Sequence, residues 1–242
     1  MNSRPLAKVA GGRLERRRLS SHSLIDVSHT LEHGMITYRG LPAPMICDYL
    51  SREESRAHYA SGTEFQIGKI EMVANIGTYI DSPFHRYPEG RDLAAPPLES
   101  LADLPCVVAR VPLSVRVINR LPLTEADVRG SAVLVHTGWD RHWGTEQYFD
   151  GHPHLTGELA KWLIDAGAVL VGIDSLNIDG TETGERPVHS TLLAHDTPIV
   201  EHLCALGAVP ERGCRFFAVP VKVKAFGTFP VRAFVLASGS TQ

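Results

Sequence analysis

Short apolar runs, separated by turn-forming residues, dominate the pattern of hydrophobic and polar positions along the chain. Ala132–His136 is a continuous apolar run, which is typical of a strand that is buried on both faces. A second β-branched run at 168–173 ends at an aspartate and also predicts a strand. Further strands are predicted at 24–29, 67–74, 107–111, 216–221 and 231–236.

Two segments carry helical signals. Thr124 and Asp127 fit the capping-box pattern, which predicts the start of a short helix. A second helix is predicted between Thr156, as its N-cap, and Gly167, because the apolar residues between them fall at helical spacing. These apolar residues are Leu159, Trp162, Leu163 and Ala166.

The organisation of the chain predicts one domain. Neither an internal repeat nor a composition break marks a linker, so we assign residues 21–242 to a single domain. Residues 1–20 are basic and irregular, and we expect a flexible arm there. No apolar core region follows the arginines of this arm, which excludes a secretory signal in it.

Composition excludes several classes of function. The chain has 242 residues, of which 43% are hydrophobic and 21% are charged, as in soluble globular proteins. A formal charge of −3 gives no reason to expect nucleic acid as a partner, and no apolar run is long enough to span a membrane. Four scattered cysteines without a Cys-x-x-Cys pair indicate reduced thiols and a cytoplasmic protein.

The segment from Asn75 to Gly90 is the most informative stretch for chemistry. It follows the strand predicted at 67–74, and it brings Asn75, Tyr79, Asp81 and His85 together within eleven residues. Gly and Pro residues between them favour a stiff, turn-rich loop. Polar residues on such a loop after a strand are placed where binding and catalytic sites are commonly found.

This segment resembles the signature of the metal-dependent cyclase-like hydrolases, a family that includes bacterial kynurenine formamidase and isatin hydrolase. The family signature is His-x-Gly-Thr-His-x-Asp-x-Pro-x-His, and Gly77-Thr78, Asp81, Pro83 and His85 match it. Asn75 and Tyr79 stand where the family has two metal-binding histidines. The likeness extends from about Leu24 to the final strands, and it includes Asp26, Ser28, His29 and residues 172–175.

The resemblance implies an α/β fold. The family fold is the swivelling β/β/α domain, with a barrel-like mixed sheet and flanking helices. Members assemble as homodimers or homotetramers, with pockets near the subunit interface. We therefore expect a homo-oligomer with a small-molecule substrate and with neither nucleic acid nor membrane as a partner.

A second stretch resembles the other ligand pair of the family. His189 follows Pro187, which suits a helix start, and Glu201 lies twelve residues beyond His189. The family has a His at the head of a short helix and a Glu after it. The resemblance implies that Asp81, His189 and Glu201 bind a divalent metal, manganese or zinc, with Asn75 as a weak additional ligand.

The two replaced histidines leave three forms of the site open. The remaining donors are rich in oxygen, which favours manganese or magnesium over zinc. The site is a weaker manganese-type centre, a rearranged centre that recruits His85, or a metal-free pocket. In the family the position of His85 is the general base; in a metal-free pocket Tyr79 could donate to an oxyanion while His85 and Asp81 handle protons.

The leading hypothesis is a hydrolase of a cyclic or N-acyl amide, such as N-formylkynurenine or an isatin-like lactam, or of a related lactone. The alternatives are a catalytically lapsed, metal-free binding protein and a non-hydrolytic cyclase or dehydratase on the same fold. Trp139, Trp143 and Phe149 are predicted either to wall the substrate pocket or to pack in the core. His29 has two equivalent readings as well, as a pocket residue or as a hydrogen-bonded structural residue.

One motif in the sequence resembles a metal site but lacks an essential ligand. Residues 175–180 begin like a calcium-binding loop, Ser-Leu-Asn-Ile-Asp-Gly. The twelfth position of that loop is Arg186, where a bidentate glutamate is required. We therefore predict no calcium site there.

Overall fold

The computed structural model describes residues 22–238, so the predicted arm at 1–20 lies outside the described residues. The strands are β1 (His22–Asp26), β2 (Met45–Leu50), β3 (Ile67–Glu71), β4 (Tyr79–Asp81), β5 (Leu104–Arg110), β6 (Val117–Ile118), β7 (Ala132–His136), β8 (His154–Leu155), β9 (Leu170–Ile173), β10 (Ile199–Glu201), β11 (Cys214–Phe217), β12 (Thr228–Pro230) and β13 (Phe234–Ser238). The helices are α1 (Arg52–Ser55), α2 (Glu125–Val128), α3 (Gly157–Ala166) and α4 (Pro187–Ala194).

A nine-stranded mixed sheet curls into a half-barrel and forms the centre of the fold. Its strand order is β1-β13-β11-β5-β7-β9-β10-β4-β12. The four middle strands β5, β7, β9 and β10 are parallel to their neighbours within this group, and the outer strands pair antiparallel. The α/β fold with a barrel-like mixed sheet, which the resemblance implied, is confirmed.

Each face of this sheet packs into its own hydrophobic core. Along β5, Val108 belongs to one core, whereas Val107 and Ala109 belong to the other. Leu134 and Val133 on β7 divide between the two cores in the same way. Because both faces are buried, the middle strands are apolar along most of their length instead of alternating with polar residues, and their charged or polar residues stand at the strand ends. This is the physical reason for the continuous apolar runs of the sequence.

The helix signals of the sequence are confirmed. Thr124 and Asp127 form the capping box at the start of α2. Thr156 accepts a hydrogen bond from the backbone of Leu159 at the start of α3, and the helix ends at Gly167, whose φ of 89° is left-handed. α3 packs its apolar face against the second core and against α4.

Several predicted strands have different bounds or surroundings. The strand predicted at 67–74 ends at Glu71, and it leaves the main sheet to pair with β2 as an exposed antiparallel hairpin. The strand predicted at 216–221 ends at Phe217, and the strand predicted at 231–236 begins only at Phe234. No helix in residues 22–238 has the length and apolar character that a membrane span requires.

The strands β4, β10 and β12 position the candidate site. β4 lies between the other two strands and pairs antiparallel with both. In this register Tyr79 lies opposite Glu201, and Asp81 lies opposite Thr228. All three residues of β4 are buried.

Candidate active site

The loop around β4 is shaped by close backbone packing. Gly77 has a left-handed φ of 62°, and a Cβ at this position would overlap the Leu31 side chain. Pro83 begins a 3₁₀ turn at 83–85 that presents His85. A Cβ on Gly227 would lie 2.5 Å from the Cα of His85, so the segment before β12 packs directly under this turn. The glycines therefore let the backbone approach closely enough to fix His85.

Asp179 orients His189 at the start of α4. Its Oδ1 accepts the backbone N–H of Val188 at 2.8 Å, and its Oδ2 accepts the backbone N–H of His189 at 3.0 Å. Oδ2 also lies 2.7 Å from His189 Nδ1. Because a carboxylate accepts the Nδ1 proton, the imidazole presents Nε2 to the interior of the site. Asp179, which belongs to the rejected calcium-binding motif, therefore accepts hydrogen bonds from the first turn of α4 and fixes the orientation of the His189 ring.

The two predicted ligand segments converge on one point. His189 Nε2 lies 3.6 Å from Asp81 Oδ2 and 3.7 Å from Glu201 Oε1. The ring centroids of His85 and His189 are 6.1 Å apart. All six residues predicted for the site lie on the convergent segments: Asn75, Tyr79, Asp81, His85, His189 and Glu201. Their individual roles stay predictions.

The chemistry of Asp81 fits a cation. The carboxylate is fully buried, and its Oδ2 atom has no hydrogen-bond partner among the described residues. A buried carboxylate oxygen without a donor is costly unless it meets a positive charge. Asp81, His85 and His189 each offer a ligand atom, and these atoms lie within 4.8 Å of one another. Two imidazoles and a carboxylate form a donor set that suits a divalent transition metal.

Thr228 links Asp81 to His85. Its hydroxyl donates to Asp81 Oδ1, and its oxygen lies 2.8 Å from His85 Nδ1. Since the single hydroxyl proton goes to the carboxylate, the Thr228 oxygen is the acceptor toward His85. His85 therefore carries its proton on Nδ1 when neutral, which leaves the Nε2 lone pair free. The His85 side chain is 36% exposed, in a cleft.

Tyr79 and Glu201 form a buried pair. The Tyr79 hydroxyl donates to Glu201 Oε2 at 2.5 Å, and the backbone N–H of Ile178 donates to Oε1 at 2.6 Å. Burial and the charge of Glu201 hold the pKa of Tyr79 well above its ordinary value, so the phenol keeps its proton. That proton is directed at Glu201. Donation from Tyr79 to an oxyanion, the alternative for a metal-free pocket, stays a prediction. Asn75 lies beside the same phenol.

The charges around His189 are strongly coupled. Burial alone would lower the pKa of His189, but the charge of Glu201 and the carboxylates of Asp179 and Asp81 raise it to about 10. Burial raises the pKa of Glu201 to about 7. Burial would also raise the pKa of Asp81, but the neighbouring imidazole of His189 and the charge of His85 bring it below its ordinary value. The carboxylates around His189 therefore favour a positive charge at its Nε2 atom.

A cluster of aromatic rings lies behind Tyr79. The His29 ring stacks on Trp143 with centroids 3.8 Å apart, and Trp143 in turn contacts His202. Burial lowers the pKa of His29 to about 4 and that of His202 to about 3, so both rings are neutral near pH 7. Tyr148 completes the cluster, and its hydroxyl has no partner among the described residues.

The structure favours core packing for the three aromatic residues that were predicted either to wall the substrate pocket or to pack in the core. Trp139 is buried and donates through Nε1 to the Tyr148 carbonyl, which is core packing. Trp143 and Phe149 are partly buried against the same cluster, and they also line a separate surface cavity with His29. The cleft at His85 and His189 has a different lining, to which none of these aromatic residues contributes.

Sequence reasoning missed three residues of this region. Asp179 lies eight residues before the helix start at Pro187, which is too far along the sequence for an N-cap signal, so its contacts with the start of α4 could not be predicted locally. Thr228 and His202 carry no local motif that links them to the site. The positive φ of His202, 56°, depends on its backbone and ring contacts, which the sequence does not show.

A family model described as a putative cyclase matches residues 25–180 of the chain. The kynurenine formamidase of Erythrobacter litoralis is 28% identical over 205 residues, which cover 84% of this chain and 89% of that protein. The kynurenine formamidase of Bacillus anthracis is 26% identical over 213 residues, covering 87% of this chain and 96% of the relative.

Solved structures share the fold. Isatin hydrolase A from Labrenzia aggregata superposes with a TM-score of 0.74 at 18% identity, over 90% of this chain and 94% of that chain. A structure described as a potential metal-dependent hydrolase with cyclase activity gives a TM-score of 0.71 at 24% identity. It covers 89% of this chain and 98% of its own. These similarities extend over nearly the whole of the described fold.

Proposed function

Because the chain belongs to the cyclase family and is a hydrolase that acts on amide C–N bonds, we propose that its substrate is an N-formyl aryl amide or a planar cyclic amide. The similarity to kynurenine formamidases and to isatin hydrolase supports these two substrate classes. The observation that carries the proposal is the buried Asp81 Oδ2, which lacks a hydrogen-bond partner and lies 3.6 Å from His189 Nε2. His189 of this pair lines a cleft that His85 also lines, and Asp81 is buried beside it.

Asp81 and His189 would hold a divalent ion, and Glu201 and Asn75 would supply further oxygen donors. A bound ion polarises the amide carbonyl and lowers the pKa of a water molecule. The oxygen-rich donor set supports manganese over zinc as the preferred metal. Asp179 fixes the Nδ1 proton of His189, which keeps Nε2 directed at Asp81.

His85 is the proposed general base. With its proton held on Nδ1 by Thr228, the Nε2 lone pair is available to accept a proton from the attacking water. The same nitrogen then returns this proton to the amine that leaves when the C–N bond breaks. Tyr79 stays protonated and positions Glu201 through its hydroxyl.

The wider assignments follow from this proposal. An enzyme that hydrolyses N-formylkynurenine would act in tryptophan catabolism. We propose a cytoplasmic location, which the four free thiols support. We propose a homodimer or homotetramer, and the exposed apolar side chains of the β2–β3 hairpin support it.

The proposal is tested by metal analysis and by a substrate panel. Protein purified without chelator is analysed for manganese and zinc, and activity is measured on formanilide, isatin and a lactone with and without added Mn²⁺. We expect amide hydrolysis that chelation abolishes and Mn²⁺ restores. Asp81→Asn should lose most of the bound metal, because the orphaned carboxylate oxygen is then replaced by a neutral amide.

His85→Ala separates the two possible roles of His85. As a base, its loss should reduce kcat by roughly 100-fold or more while the metal content stays unchanged. A loss of bound metal would instead make His85 a ligand, and unchanged activity would refute the base assignment. His58→Ala, in an exposed loop, is the matched control. A protein that holds metal but hydrolyses no member of the panel would contradict the proposed substrates.

A further inference from the structure

The cleft in front of His85 and His189 has a charged rim. It has a volume of about 540 Å³ and lies between the 83–85 turn and the first turn of α4. His189 is buried within it, whereas Arg86 is exposed. Arg186 and Glu185 line the same cleft. A volume of this size suits a small aromatic molecule.

Arg86 is held in place without using its terminal nitrogens. Its Nε donates to Ser190 Oγ at 3.3 Å, and its guanidinium carbon lies 5.3 Å from the centre of the Tyr87 ring. The Tyr87 hydroxyl donates to the backbone carbonyl of Ser190 at 2.9 Å, which fixes the ring beneath the guanidinium. Cation–π contact and one hydrogen bond therefore preorganise Arg86 at the cleft.

Arg86 has no carboxylate partner in the part of the chain that the structure describes. Seven other arginines have such partners: Arg39, Arg56, Arg91, Arg110, Arg212, Arg215 and Arg232. Among the described residues Arg52, Arg116, Arg120, Arg129 and Arg141 also lack one, but none of these five lines the cleft. A guanidinium that is positioned but unpaired beside a substrate cleft can form two parallel hydrogen bonds to a carboxylate.

Arg186 reinforces the positive charge but has a structural task. Its Nη1 donates to the backbone carbonyls of residues 180, 183 and 185, at distances of 2.7–3.2 Å. These bonds hold the loop before α4. Glu185 is the opposing charge on the lining, so the two guanidinium groups exceed it by one positive charge.

We propose that Arg86 binds a carboxylate on the substrate and so selects anionic amides over neutral ones. This inference rests on the proposed function, because it assigns the cleft to an amide substrate. The residue directly before Arg86 is His85, the proposed base. One small molecule can therefore present its scissile amide to His85 and its carboxylate to Arg86. Arg86 is then a specificity residue that contacts the substrate outside the reacting bond.

Kinetics on matched substrates test the proposal. Formanilide is compared with the three isomers that carry a ring carboxylate, 2-, 3- and 4-formamidobenzoate. We expect the best carboxylated isomer to have a kcat/KM at least about tenfold above formanilide, the size of one charge-assisted pair. Arg86→Gln should remove this preference by raising KM for the anionic substrate, while kcat and the values for formanilide stay within about threefold of wild type.

Two further variants sharpen this result. Arg86→Lys keeps the charge without the planar fork and should recover only part of the preference. Arg141→Gln removes an arginine whose Nε donates to the Gly138 carbonyl on another loop, and it should change neither substrate. Equal losses on charged and neutral substrates in Arg86→Gln, or no preference in wild type, would overturn the inference.

Equilibrium binding separates this inference from the proposed function. Titration calorimetry with 4-aminobenzoate and with aniline needs no turnover. Wild type should bind the carboxylate at least about tenfold more tightly than aniline, and Arg86→Gln should lose that difference. If no amide is hydrolysed but the difference is found, the proposed function fails and the carboxylate site stands. Equal binding of both probes by wild type overturns the carboxylate site itself.

Discussion

At the scale of single residues, Asn75 and Tyr79 set the character of the candidate metal centre. Each stands where a metal-binding histidine is expected, and Tyr79 uses its only proton on Glu201. A neutral phenol is a poor metal ligand, because it ionises near pH ~10 in water and higher still when buried. The site therefore depends on Asp81, His189 and a carboxylate that another side chain already engages.

Restoring the two histidines should strengthen the centre. In Asn75→His with Tyr79→His, two imidazoles are added and Glu201 is released from the phenol. We expect Zn²⁺ and Mn²⁺ to bind at least about tenfold more tightly, measured by calorimetry on the metal-free protein. Tyr79→Phe is the control, since it releases Glu201 without adding a ligand. A double mutant with unchanged affinity would argue against a shared metal position for these side chains.

Thr228 should control the proton on His85. Thr228→Val removes both hydrogen bonds of the hydroxyl with little change in shape, and we expect kcat to fall by roughly tenfold or more because the base loses its fixed tautomer. Thr228→Ser keeps the hydroxyl and should retain most of the activity. ¹⁵N NMR of His85 should show the Nδ1–H form in wild type and in Thr228→Ser, and a mixture of tautomers in Thr228→Val. The same tautomer in all three proteins would contradict the role.

At the scale of elements, a helix or strand could be predicted from the sequence when its signal lay within a few neighbouring residues. The capping box of α2, the Thr156 cap of α3 and the proline at the start of α4 act within a few residues, and all three are visible in the sequence. The three-residue strands β4 and β10 carry no periodic signal of their own. Their positions depend on long-range pairing, so the contact between Tyr79 and Glu201 could not be predicted from either segment alone.

The hairpin of β2 and β3 is the clearest case in which local pattern misled. The β-branched residues of β3 suggested a strand leading into the site, yet every residue of β3 is exposed. Large apolar side chains on and beside this hairpin face solvent, with exposures of 41–75%: Met45, Tyr49, Phe65, Ile67 and Ile70. An exposed apolar patch of this kind is typical of a protein–protein interface.

We propose that this hairpin contacts a second copy of the chain. Ile70→Glu combined with Tyr49→Glu should shift the protein from an oligomer toward a monomer in light scattering coupled to gel filtration, because two charges would be buried unpaired at the interface. Leu113→Glu, at another position that is 53% exposed, is the control and should leave the mass unchanged. A wild-type monomer at all concentrations would contradict the contact.

At the scale of the whole molecule, the family signature predicted the fold because its Gly, Thr, Asp and Pro frame serves backbone geometry. Gly77 and Gly227 are needed because other segments of the same chain pack closely against them, and this requirement does not depend on which metal ligands are present. The frame therefore persists in a chain that lacks two of the histidines. The supporting contacts from Asp179 and Thr228 come from distant segments, and only the folded chain brings them to the site.

The stability of the whole fold should depend on His202 at acidic pH. Its pKa is about 3 in the folded protein and near 6.5 when unfolded, so the neutral ring favours folding above pH 6.5. This contribution is lost as the pH falls from 6.5 toward 3. We expect the free energy of unfolding of wild type to fall by about 2 kcal/mol more between pH 7 and pH 5 than that of His202→Asn.

Chemical denaturation at the two pH values measures this difference. Asparagine tolerates the left-handed backbone of position 202, so the variant should still fold. His195→Asn, an exposed histidine at the end of α4, is the control and should keep the pH dependence of wild type. Equal pH dependence in wild type and His202→Asn would contradict the burial of a neutral ring.

The pairing of β4 with β10 and β12 has a consequence for the evolution of the candidate metal centre. Because Tyr79 lies directly opposite Glu201, a histidine at position 79, which is smaller than tyrosine, would stand on the same backbone position facing that glutamate. Tyrosine and asparagine codons each become histidine codons through a single-nucleotide change. Random mutagenesis under selection for zinc-dependent growth can therefore reach both imidazoles in separate small steps, with the scaffold already prepared to receive them.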